Sequence, residues 1–86
     1  MSKTQDKKIQ NQIEHAEFLW NQAQMQAAMM QQVLDIAIGE FEEHKEELEV
    51  EVVTTVEEQI VARKKDIEEF LMGEKDKYLE RIGANK

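Results

Sequence analysis

From Ile9 to Leu48 the chain repeats apolar residues at alternating steps of four and three. The positions are Ile9, Ile13, Ala16, Trp20, Ala23, Ala27, Met30, Leu34, Ala37, Phe41, His44 and Leu48, and eleven of the twelve are apolar. A helix turning every 3.6 residues brings them onto one seam, which a strand of period two cannot do. No other feature of the chain limits its fold as tightly. With Ile13, Trp20, Ala27, Leu34, Phe41 and Leu48 as heptad a positions, Ile9, Ala16, Ala23, Met30, Ala37 and His44 fall at d. Large residues at a beside small ones at d suit close approach of a neighbouring helix and depart from the Ile/Leu pattern of a parallel zipper.

A second apolar stripe runs along another face. Phe18, Met25, Met29 and Ile36 follow at steps of seven, four and seven, while Leu19 and Val33 widen the main seam. A helix that is apolar on more than one side belongs in a bundle. The methionines fit either core filling or an adaptable binding surface, because an unbranched thioether repacks easily.

The 86 residues make one domain, with proline and cysteine absent and only three glycines. Disulfides and thiolate metal sites are excluded by that composition. A chain this short buries too little surface to be comfortably stable alone, so self-association or a partner is the expected supplement. The longest apolar patch, Val33 to Ile38, is too short to span a bilayer, and the polar start (Ser2 to Lys8) has no apolar run behind it. The expectation is a cytoplasmic protein with no membrane contact.

The net charge of −8 is concentrated in the middle. Residues 35–58 hold ten acids against Lys45, whereas 59–86 hold seven bases against six acids. Binding to a nucleic-acid backbone needs a basic footprint, so direct nucleic-acid affinity is not expected.

The pattern changes at Leu48–Thr55. Leu48, Val50 and Val52 alternate with glutamates in a strand-like period of two, and Val50–Val56 is rich in stiff β-branched residues. Thr54–Glu57 and Thr55–Glu58 then match the capping box that opens a helix. These features predict a first helix over about 5–47, a connector over 48–54, and a second helix over about 55–82. Other readings of the connector are a short strand or strained helix, and Gly39 is the alternative turn. The second helix carries Val56, Ile60, Ile67, Leu71, Tyr78 and Ile82 on one seam, widened by Val61 and Phe70, and Gly83 marks its stop. Ser2 or Thr4 is the expected cap of the first helix, with Asp6 in its first turn.

The expected architecture is therefore all-α: two long amphipathic helices in an antiparallel, coiled-coil-like hairpin, associating into a dimeric bundle. Folding back near residues 51–52 sets Arg63, Lys64 and Lys65 against the acids near Glu40, Ile67 against Ile36 and Ala37, and Tyr78 against Met25. Residues up to about Trp20 then overhang.

Chemistry is sparse. His15 and His44 lie 29 residues apart with no metal-ligand spacing, so no metal and no cofactor are expected. His44 on the seam reads as a polar register mark, or as a pH sensor if buried among glutamates. Glu40, Glu42, Glu43, Glu46 and Glu47 form an acidic strip, which on a solvated face stays ordinary and supplies no acid–base machinery. No Gly-rich phosphate loop or activated nucleophile is present, so no enzyme is expected. The sequence points to a protein–protein interaction module of the adaptor, chaperone or inhibitor kind. It would self-associate along Ile9–Phe41 and meet another protein through Phe18, Leu19, Trp20, Met25, Met29 and Ile36. An acidic mimic of nucleic acid and a purely structural self-assembling unit are the competing readings.

Overall fold

The computed structural model describes residues 3–83, and the side chains described begin at Lys7. Two α-helices, α1 (Lys3–His44) and α2 (Val50–Ile82), are joined by one turn of 3₁₀ helix (Lys45–Glu47). Only Leu48, Glu49 and Gly83 among the described residues lie outside helix. The helices pack against each other as an antiparallel hairpin, a slab measuring 69 × 22 × 9 Å across its Cα atoms. The capping roles of Ser2, Thr4 and Asp6 fall outside the described side chains.

Packing along α1 follows the seam, with one shift. Ala16, Ala23 and Ala27 are the only buried hydrophobic residues described, and Ile13, Trp20, Met30, Leu34 and Phe41 are half-buried beside them. Small side chains let the two backbones approach, so the larger neighbours close around the contact from both sides. Further along, the strict heptad loses the face. Ala37 and His44 are exposed, and Ile38 and Lys45 are half-buried in their place. A straight helix drifts by about 20° per heptad. After eighteen residues, or five turns, the position beneath Trp20 is Ile38.

The connector lies earlier than its sequence signals. It occupies residues 45–49 instead of 48–54, α1 stops at His44, and α2 begins five residues before Thr55. Extending α1 would stack Glu40, Glu43, Glu46 and Glu47 at spacings of three and four, where like charges repel. The turn needs no glycine: Leu48 (φ −98°, ψ 151°) and Glu49 (φ −69°, ψ 151°) are simply extended, and the Leu48 N–H donates to the Lys45 carbonyl at 3.2 Å. Gly39 stays inside α1.

The capping-box threonines serve another purpose. Thr54 Oγ1 donates to the Val50 carbonyl and Thr55 Oγ1 to the Glu51 carbonyl, at 3.0 and 2.9 Å. Both are bonds back to the preceding turn, made by residues inside a helix. Within the β-branched run and just after it, Val53, Val56 and Ile60 are half-buried, and propensity penalties of a few tenths of a kcal/mol per residue yield to packing. At the far end Gly83 adopts the left-handed conformation (φ 76°), and its N–H bonds the carbonyls of Glu80 and Leu79. This is the expected C-terminal stop.

A Cβ added at Gly39 or Gly73 meets nothing within 4 Å. Replacing either with alanine is therefore expected to stabilise the helix by about 1 kcal/mol. Thermal unfolding followed by circular dichroism should show each midpoint rise by several degrees, on the order of 4–8 °C per kcal/mol. Gly83→Ala should lower it, since its positive φ strains a Cβ.

Candidate protein-interaction surface

The earlier turn resets which residues face each other. Trp20 stacks on Tyr78 with ring centroids 6.0 Å apart and planes 19° from parallel. Facing positions thus add up to about 98, against the 103 expected from a turn near residue 51. Ile67 lines grooves with Ala27, Met30, Leu34 and Ala37, and Ile36 is not among them. Trp20 belongs to the helix pair, and the overhang of α1 beyond Ile82 shortens to the residues before about Ala16. Ile9 is exposed there.

The charge register changes with it. Among the described residues one ion pair ties the connector to α2, Lys45 Nζ to Glu57 Oε2 at 3.4 Å. Arg63, Lys64 and Lys65 are exposed and form no ion pair with the acidic strip among the described residues. Arg63 lines a groove with Leu34 and Ala37, three to six residues short of Glu40. Glu40, Glu42, Glu43, Glu46 and Glu47 are all exposed near the turn. His44 is exposed as well, 3.5 Å from Glu47 through Nδ1. A solvated pair of this kind contributes little, so the buried-histidine sensor has no basis in this fold.

Of the seam assigned to self-association, Ala16, Trp20, Ala23, Ala27, Met30, Leu34 and Phe41 face α2 of the same chain, Ile13 is half-buried at the edge of the overhang, and Ile9 and Ala37 are exposed. The proposed contact residues divide. Leu19 and Trp20 are half-buried, whereas Phe18, Met25, Met29 and Ile36, joined by Val33, are 57–67% exposed. On a helix advancing about 100° per residue these five fall within an arc of about 80°, on the side of α1 turned away from α2.

Part of that stripe continues into a groove between the helices. Gln26, Met29, Met30, Val33, Leu34 and Ala37 of α1 face Arg63, Asp66, Ile67 and Phe70 of α2 across about 580 Å³. Phe70 is half-buried and supplies the groove's aromatic wall, a role its place at the margin of the α2 seam did not disclose. Val61 and Met72 are exposed elsewhere on α2. At the open end Lys8, Asn11, Gln12, His15 and Arg81 line a polar groove. No group of three or more His, Asp or Glu side chains suited to a metal ion occurs among the described residues, and no described helix is long and apolar enough to cross a membrane.

The surface is thus an apolar stripe and groove on a thin hairpin, strongly acidic at the turn and of balanced charge at the open end. No family model matches this chain, and no curated protein or solved structure matches it.

The stacked aromatic pair reports on the hairpin's closure. Tyr78→Ala should shift Trp20 emission to longer wavelength and lower stability by roughly 1–3 kcal/mol, from lost burial and ring contact. Tyr78→Phe should retain both, since the stack needs the ring and not the hydroxyl.

Proposed function

We propose that this chain is a non-enzymatic protein–protein interaction module, a small acidic helical adaptor, chaperone or inhibitor acting in the cytoplasm. It self-associates and receives a helical segment of another protein on its apolar surface. The observation that carries this reading is the exposure of Phe18, Met25, Met29, Val33 and Ile36 along one line of α1, next to the groove walled by Phe70. A contiguous apolar line of this length on a small protein marks a surface built to be covered. Its spacing suits the helix-in-groove mode, in which anchors recur every three or four residues. Methionine at its centre accommodates partners of differing shape.

A second reading draws on the exposed strip Glu40, Glu42, Glu43, Glu46 and Glu47. Clustered at one end of the slab, these carboxylates present a negative surface to a basic protein, in the manner of a nucleic-acid mimic. The two readings separate by mutation. Met29→Glu with Ile36→Glu should abolish capture of a partner by the immobilised full chain and leave helicity intact. Glu42, Glu43, Glu46 and Glu47 all changed to Gln should leave capture largely unchanged. The reverse pattern would establish the acidic strip as the contact surface. A pulldown that returns only the chain's own copies would favour a purely structural unit.

A further inference from the structure

We infer that the first occupant of the exposed α1 stripe is a second copy of this chain, docked antiparallel about a two-fold axis near the level of Ala27. The inference rests on the interaction reading above and names the partner for it. Closed dimers join identical patches, so a patch serving that purpose must be complementary to itself. The stripe has this property in one orientation. Laid antiparallel on its copy and centred at residue 27, Phe18 comes to the level of Ile36, and Met25 to that of Met29. The stripe residues, all exposed in the single chain, then cover one another.

Charge supports the same occupant and orientation. Residues 18–34 contain no charged side chain, so two copies meet there without repulsion, and the polar flanks are Asn21, Gln22, Gln26 and Gln32. Outside this window the hairpin is polarised. Lys7 and Lys8 stand exposed on α1 at the open end, with Arg81 of α2 beside Lys8, and the acidic strip stands at the turn. Antiparallel docking brings Lys7 and Lys8 to the level of Glu47 and Glu46 of the second copy. A parallel pair stacks acidic turn on acidic turn. The antiparallel register contains one like-charged match, Glu14 with Glu40, at the exposed ends of the stripe, where solvent and salt screen it.

Packing gives the second copy a structural purpose. The hairpin buries only three alanines among its described apolar residues and no large side chain fully. Joining two copies along the stripe would bury Phe18, Met25, Met29 and Ile36 between the two α1 helices, adding the bulky apolar contact that each hairpin lacks.

The test uses the full chain, whose lack of cysteine permits clean labelling. Light scattering during size exclusion should return twice the 10.1 kDa chain mass. A spin label on Gln10→Cys, beside the stripe, should then read about 50 Å to its copy, from about 34 residues of axial offset at ~1.5 Å each. A parallel pair with helix axes about 10 Å apart would place the labels within roughly 20 Å, and that result overturns the inference. Phe18→Lys should weaken the dimer at least about tenfold, and adding Ile36→Glu in the same chain should restore it, because the two positions meet. If Phe18→Lys unfolds the chain, the label distance on the otherwise native sequence still decides. A monomer that captures another protein through the stripe overturns the second-copy assignment and leaves the interaction reading standing. A dimer with the long label distance whose Met29→Glu, Ile36→Glu variant loses no other partner supports the assignment and removes the broader reading.

Discussion

Everything in this hairpin depends on how closely two helices can approach along the row Ala16, Ala23 and Ala27. Alanine contributes little transfer free energy, since each methyl is worth on the order of 1 kcal/mol. Its value here is geometric. By letting the backbones come together it brings Trp20 onto Tyr78 and seats Ile67 among Ala27, Met30 and Leu34. A larger residue in that row would push the helices apart and loosen every flanking contact at once.

The same economy leaves the chain exposed. One helix cannot bury two faces against a single partner helix, and α1 is apolar on two faces. The alanine face is satisfied within the chain, while the methionine face is not. Intramolecular packing therefore decides which surface remains for intermolecular use. Stability and association are linked by mass action in such a molecule: whatever covers the outer stripe also favours the folded hairpin.

Several elements were legible in the sequence, for identifiable reasons. The 3.6-residue periodicity fixed two long helices and their inner seams, because burial on one face demands it. Gly83 was readable as a stop because a left-handed residue there favours glycine. The turn lies several residues before the local signals that suggest one. β-branched and alternating residues at 50–56 imitate a strand, and threonine followed by glutamate imitates a cap, yet both patterns sit within α2. No glycine, asparagine or proline marks the real break, which two extended residues and a 3₁₀ turn accomplish. The drift of a straight helix likewise moved the face from Ala37 to Ile38, which a strict heptad does not show.

The sequence by itself determined that the chain is helical, that α1 carries two apolar faces, and that its charge is polarised, because spacing and composition act within one helix. Tertiary structure alone decided where the chain turns and which residues of the two seams stand opposite each other. Moving the turn to 45–49 changed the facing register by about five residues, or more than one helical turn. That shift drew Trp20 from the overhang into the helix pair. Register between two helices is a property of the whole contact, summed over many side chains, and no local spacing encodes it.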